Sequence, residues 1–288
     1  MRARQLPAAR AELALGAALL LALAGVACGG GPAAGGGSAA AAESGAAAAT
    51  ASSPPVATPA ADGVTIAYEG NAQVELIARE GRVLVDVYDP GTLSAPATSS
   101  DVLLTTHTHD DHMAPDFQNG FPGEQLFVKA GTLETPQAVV TSIPAAHSQG
   151  DEFEAEGGSD YIFVVDTGGL RIVHFGDLGQ DALTPEQLQA IGSVDVAVMQ
   201  FDNSYSQMDL ENKKGFALME QVKPRLIVQT HSSVEAVQEA ATRWPVLYSP
   251  KDWVTVTEED LPAETSLLLL GGDAPFYASQ VEATQVDW

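Results

Sequence analysis

Residues 105–112 read Thr-Thr-His-Thr-His-Asp-Asp-His, which sets His107, His109, Asp111 and His112 in the pattern H-x-H-x-D-H. Three imidazoles and a carboxylate within six positions form a metal-binding stretch, because imidazole nitrogen and carboxylate oxygen are the donors that suit zinc, manganese or iron. The chain has six histidines, and the other three are His147, His174 and His231. A polar surface loop is the plain alternative, and the further histidines downstream weigh against it. One zinc does not need four ligands from a short loop and more from elsewhere, so the donor count points to two metals sharing a site.

These donors sit where predicted strands stop. Apolar or alternating runs at 64–68, 74–77, 83–87, 102–105, 127–128, 139–143, 161–165, 170–175, 194–199 and 226–229 read as strands. The run at 102–105 delivers the histidine motif, and 139–143 leads to His147. The run at 170–175 ends at Gly176-Asp177, and 226–229 delivers His231. Thr167-Gly168-Gly169 predicts a hairpin between the seventh and eighth runs. Thr184-Pro185-Glu186-Gln187 predicts a helix start, with Thr as N-cap, Pro at the first position and Gln closing a capping box. A second helix is predicted over 209–222, stopped by Pro224. Rigid strands that carry donors on their exit loops give an open site at one edge of a sheet.

The H-x-H-x-D-H stretch, His147, the Gly176-Asp177 pair and His231 resemble, in order and spacing, the metallo-β-lactamase superfamily of hydrolases, over essentially all of 63–288. His174-Phe175-Gly176-Asp177, Ser206-Gln207-Met208-Asp209 and the segment 223–231 are most similar to the compact branch that includes the ascorbate-phosphate lactonase type. The resemblance implies an α/β fold, a four-layer αββα sandwich of two mixed sheets flanked by helices, with metals at one edge. It implies that His107, His109 and His147 hold one divalent ion, that Asp111, His112 and His231 hold a second, and that Asp177 bridges them. Alternation along an extended loop agrees: rings two apart point the same way, while Asp111 and His112 are adjacent and point apart. Zinc is the first choice for these donors, with manganese or iron admitted. The implied chemistry is attack of ionised water on a carbonyl or phosphoryl centre, with Asp111 as the catalytic residue that orients the nucleophile and later carries its proton. The bridging Asp177 is a mark of the non-lactamase members, which disfavours true β-lactamase activity.

His174 lies inside a strand and reads as a packing or ligand-supporting histidine. Asp86 and Asp89 read either as carboxylates supporting the first metal or as strand-end and turn residues; the turn reading is favoured for Asp89 and Asp86 is open. Lys213, Lys214 and Lys223 read as a solvated helix face rather than as anion contacts. Specificity falls to the loops at 113–135, 148–159 and 200–208, which carry no readable motif.

The first 62 positions have another character. Arg2, Arg4 and Arg10 precede an apolar run at 13–27, which predicts a secretory signal that is too short for a membrane span. The run ends in Gly25-Val26-Ala27-Cys28, similar to a bacterial lipoprotein signal except that Gly25 stands where Leu is usual; an ordinary signal with an incidental cysteine is the alternative. Cys28 is the only cysteine, so no disulfide can form within the chain. Residues 29–62 are nearly all Ala, Gly, Ser, Thr and Pro and predict a tether without a core.

The remaining 63–288 suit one domain. Three of the 13 basic and three of the 38 acidic residues fall before position 63, so this domain carries the whole net charge of −25. Such a surface repels nucleic acid and anionic lipid. The expectation is an exported hydrolase with two metals, held to a membrane only through an N-terminal lipid on Cys28. Its substrate is a small ester, lactone or phosphorylated metabolite; oligomeric state is left open. The rival from another class is a non-catalytic metal- or partner-binding lipoprotein on the same scaffold.

Overall fold

The computed structural model describes residues 63–288 apart from 156 and 232, so the expected signal, Cys28 and the expected tether lie outside the described residues. Fifteen strands run in chain order: β1 Val64–Tyr68, β2 Val74–Ala78, β3 Gly81–Val85, β4 Val102–Thr105, β5 Glu124–Phe127, β6 Gly131–Glu134, β7 Val139–Ala145, β8 Asp160–Thr167, β9 Leu170–His174, β10 Val196–Gln200, β11 Leu226–Thr230, β12 Val246–Tyr248, β13 Trp253–Val256, β14 Ser266–Leu269 and β15 Ala283–Gln285. The helices are α1 Pro115–Gly120, α2 Pro185–Ile191, α3 Lys214–Val222, α4 Val234–Ala241 and α5 Ala274–Ala278.

The strands form two mixed sheets. The smaller has the order β13-β1-β2-β3-β4-β5, and the larger β15-β12-β14-β11-β10-β9-β8-β7-β6. Strand alternation splits the side chains into layers. From the small sheet Ile66, Leu76, Val83 and Leu104 meet Phe163, Ile172, Val198 and Val228 of the large sheet in a central core. The other face of the large sheet, including Ala197, Met199, Ile227 and Leu267, buries Phe216 and Leu218 of α3 and Val237 and Ala240 of α4. The outer face of the small sheet is covered more thinly, by Leu84, Leu103 and Val87 against Phe117 and Phe121 at α1. The result is the αββα sandwich, heavier in helix on one side.

Local chemistry explains the element ends. Thr184 Oγ1 accepts from the Gln187 N–H at 3.1 Å and Gln187 Oε1 accepts from the Thr184 N–H at 3.0 Å, which is the predicted capping box. The helix expected over 209–222 starts later, at Lys214. Asp209 Oδ1 accepts from the N–H groups of Glu211 and Asn212, and Lys213 takes a left-handed φ of 54°, so the chain turns before it coils. The strand expected over 83–87 ends at Val85, because Asp86 has φ 52° and leaves the extended region.

Topology brings the donors to one edge of the large sheet. β7 is antiparallel to β8, β8 to β9, and β9, β10 and β11 are parallel, so β7, β9 and β11 run the same way. Their C-terminal ends carry the loops with His147, Asp177 and His231. No helix among the described residues is long and apolar enough to cross a membrane.

The small sheet also carries a buried ion cluster. Arg82 donates to Glu75 at 2.9 Å and to Asp101 at 2.7 Å, and Glu75 accepts from Ser94 N–H and Oγ as well. Glu75 is fully buried, and Arg82 and Asp101 nearly so. Removing one partner of a buried ion pair leaves the other charge without compensation. Arg82→Met should therefore cost about 3–5 kcal/mol, read from denaturant midpoints; a loss under about 1 kcal/mol would show that the cluster is solvated in practice.

Candidate metal centre

Thr106 and His107 follow β4 directly, and the next residues turn back, with the His112 N–H bonded to the His109 carbonyl at 3.0 Å. This turn packs His107, His109 and His112 together: ring centroids lie 4.6 Å apart for His107–His109 and 3.9 Å for His107–His112. His147 closes on the first pair, at 4.8 Å from His107 and 4.7 Å from His109. His231 stacks on His112 at 5.9 Å. Its φ of 42° is the left-handed conformation that L-residues avoid, and this swings the chain out of β11.

Asp177 stands between the two groups. Its Oδ1 is 3.3 Å from His112 Nε2 and 3.3 Å from His231 Nε2, and its Oδ2 is 3.8 Å from His147 Nε2. Three sets of donor atoms lie close enough to hold an ion: His107, His109 and His147; His107, His112 and Asp177; and Asp111, His112 and His231. The middle set shares a member with each of the others, so the arrangement is two triads joined through Asp177. The structure thus brings together all seven residues singled out in the sequence.

The site has donors but not enough acceptors or protons within reach. His112 Nε2, His147 Nε2, His231 Nε2 and Asp177 Oδ1 are buried and find no hydrogen-bond partner among the described residues. Orphaned buried polar atoms are costly, and here they converge. Imidazole nitrogens and carboxylate oxygens turned to a common point fit divalent cations.

Behind the donors sits a layer that orients them. Asp86 is fully buried; it accepts from the Thr106 N–H and Oγ1 at 2.8 Å each and lies 2.9 Å from His112 Nδ1. Thr106 Oγ1 in turn lies 3.0 Å from His107 Nδ1. Asp160, also fully buried, sits 3.3 Å from the same Nδ1. His107 and His112 therefore turn Nδ1 toward a carboxylate and leave Nε2 facing the site. The open reading of Asp86 is settled as support, though behind His112 rather than behind the first triad. Asp89 is a turn residue, accepting from the Gly91 N–H. His174 Nε2 lies 2.9 Å from the Ala72 carbonyl, and its Nδ1 accepts from the Gly176 N–H, so it braces the Asp177 loop.

Gly176 is obligatory. Its φ is 55°, and a Cβ there would stand 2.6 Å from Asp160 Oδ1 and 2.9 Å from Thr106 Cβ. Asp160 carries no motif; a carboxylate at the head of the apolar run Tyr161–Val165 was its only signal in the sequence. Asn203 and Gln200 were missed too. Asn203 Nδ2 donates to Asp177 Oδ2 and to Gln200 Oε1, both at 2.7 Å, and so fixes the carboxylate's rotation. Lys214 is a correction: it is 7% exposed, donating to the Gly179 carbonyl and pairing with Asp181, rather than lying on a solvated face. Lys213 pairs with Glu239 at the surface.

The electrostatics follow the contacts. Burial opposes charge on His112, yet Asp86 and Asp177 together raise its pKa well above the ordinary imidazole value. Burial disfavours the Asp177 carboxylate, but His112 and His231 hold its pKa well below the usual range. Burial, reinforced by His107, lowers His147, while burial raises Asp160. The centre is exposed on one side, where Thr108, His109, Asp110, Asp111, Asp177 and Tyr205 line an opening of about 500 Å³. Tyr205 stands 81% exposed at its mouth.

Residues 61–231 match the family model described as the β-lactamase superfamily domain. A metal-dependent hydrolase of Methanosarcina mazei is 23% identical over 186 residues, 54% of this chain and 78% of that protein. One of Natranaerobius thermophilus is 25% identical over 190 residues, 58% of this chain and 82% of that protein. The fold is shared with a metallo-β-lactamase-superfamily protein of Thermotoga maritima, at a TM-score of 0.54 and 18% identity, over 72% of this chain and 98% of that one. With well over half of its length matched by the family model, on a shared fold, the chain belongs to the metallo-β-lactamase superfamily.

Proposed function

We propose that this metal-dependent hydrolase works with two divalent cations, zinc first and manganese or iron as alternatives, on a small ester, lactone or phosphorylated metabolite. The observation that carries the reading is the convergence of unpartnered Nε2 atoms from His112, His147 and His231 on Asp177 at the strand ends. In this reading His107, His109 and His147 hold one cation, Asp111, His112 and His231 the other, and Asp177 reaches both.

Two cations in these sets supply acidity to a water and positive charge to the oxyanion of the reacting centre. The protein's own part is orientation and proton handling. Asp86 faces His112 Nδ1, and the Thr106 hydroxyl, itself donating to Asp86, faces His107 Nδ1 with Asp160 nearby; both arrangements favour a proton on Nδ1, so that each Nε2 lone pair faces the site. Asn203 holds one Asp177 oxygen and leaves the other to the histidines. Asp111 lines the opening beside His109, where it can align the attacking water and take its proton. Tyr205 offers ring surface at the mouth for the part of the substrate that does not react.

The rival reading, a metal- or partner-binding protein without turnover, is weakened by this same supporting layer. Simple metal retention has no use for an opening of about 500 Å³ at the donor set, which gives a substrate access to it. Export and attachment through Cys28 form part of the proposal on sequence grounds alone.

Three outcomes test these points. Elemental analysis should find about two equivalents of metal per chain, falling to about one in His231→Ala, with hydrolysis in an ester, lactone and phosphodiester panel lost. Retained metal and turnover in that variant would refute the assignment. Asp160→Asn and Asp86→Asn should each lower metal affinity about 10–100-fold in chelator competition without unfolding the chain; unchanged affinity would make both residues mere packing. In a bacterial host, Cys28→Ala should move the protein from the membrane to the soluble exported fraction, and a membrane-bound variant would remove the lipid anchor.

A further inference from the structure

Beside the metal centre lies a larger cavity of about 770 Å³, with His231 in its wall. Four carboxylate residues, Glu69, Asp202, Asp252 and Asp273, line it, and no Lys or Arg does. None of the four forms an ion pair among the described residues. Glu69 Oε1 is buried and accepts no hydrogen bond there. Burial, together with Glu75 and Asp252, pushes the Glu69 pKa up to about 7, and burial raises Asp252. These carboxyl groups lack a counter-charge, and a cation beside them would favour their ionised form.

A second feature points to a ligand independently. Gln229, the residue two before His231, also lines the cavity and is 4% exposed. Neither its Oε1 nor its Nε2 has a hydrogen-bond partner among the described residues. A buried amide with both ends unsatisfied needs an occupant that can donate and accept. The four carboxylates belong to no group of donor atoms close enough to hold a metal ion. The charge is spread over a broad wall that also includes Tyr68 and Tyr277, which suits a bulkier cation with N–H donors and some apolar surface.

Building on the hydrolase reading, we propose that this cavity is the specificity pocket and that it receives a protonated amine, so that the substrate is a small ester or lactone carrying an ammonium group on its non-reacting end. The ammonium donates to the Glu69 and Asp252 carboxylates and to Gln229 Oε1. Gln229 Nε2 is left to donate to a substrate oxygen. Anionic substrates, phosphorylated metabolites among them, are disfavoured by the same wall.

The test uses phenyl esters of trans-4-(aminomethyl)cyclohexanecarboxylic acid, its 4-ethyl analogue and cyclohexane-1,4-dicarboxylic acid, with metal-loaded protein. The amine ester should exceed the neutral one in kcat/KM by about tenfold or more, the scale of one hydrogen bond to a charged group, and the anionic ester should be slowest. In Glu69→Gln with Asp252→Asn the amine-to-neutral ratio should fall toward one. If the double variant does not fold, the single variant Asp252→Asn, at a partly exposed position, serves, with the ratio falling at least about threefold. In parallel, calorimetric titration with n-butylammonium and n-pentanol should show binding of the ammonium only, weakened in the variants. Equal or reversed ester preference, or a preference the variants leave intact, would overturn the pocket while leaving the hydrolase in place. Variant-sensitive ammonium binding without turnover of any ester would uphold the pocket and count against the hydrolase reading. Absence of both ammonium binding and amine preference would also overturn the pocket.

Discussion

Packing five imidazoles and two carboxylates around one point is unfavourable unless each ring is held in a single orientation. For His112 and His107 the orientation comes from buried carboxylates behind the rings. Asp86 takes the Thr106 N–H and hydroxyl and faces His112 Nδ1, while Asp160 faces His107 Nδ1. Burying a carboxylate with no cation beside it is costly, as the raised pKa of Asp160 indicates. That cost is tolerable where nearby positive charge offsets it, and the front of the same rings is where positive charge is invited. The supporting layer and the open donor set are therefore one electrostatic unit.

The backbone carries part of the same cost. Asp86 and His231 both sit in the left-handed region without being glycine, and each lies immediately beyond a strand at the site. Gly176 is left-handed too, with its missing side chain replaced by the Asp160 carboxylate and Thr106. Strain of this kind persists where the surroundings over-determine it. Here the surroundings are two sheets whose central core is apolar through Phe163, Ile172 and Leu104. The sandwich is rigid enough to keep strand-end loops in conformations they would not adopt alone.

Much of the site was legible because donors with long imidazole side chains cluster in sequence and recur after apolar runs. The histidine motif, His147, Asp177 and His231 each follow a strand that hydrophobic pattern alone predicted. The supporting layer was harder to read, because Asp160, Gln200 and Asn203 owe their roles to long-range contacts and carry no local signature. Asp86 was legible as a possibility, but which ring it supports depends on the approach of β3 to β4. The late start of α3 went unread because Asp209 prefers a side-chain turn over helix, and Lys214 was misjudged because its burial depends on the Gly179 carbonyl across the fold. The chain after residue 232, with α4, α5 and the strands β12 to β15, is not read from the sequence; strands of three or four residues give periodicity little to act on.

The strong acidity of the domain also finds a partial place in this account. A centre of metal-binding donors tolerates negative surroundings, and the wall beside His231 extends that acidic field. All of this depends on the pair of triads joined by Asp177. A crystal structure of the metal-loaded domain, with anomalous scattering at the metal edge, tests it most directly. Two peaks are expected, one among His107, His109 and His147 and one among Asp111, His112 and His231, with Asp177 touching both. A single peak, or density with His147 or His231 turned away, would contradict it.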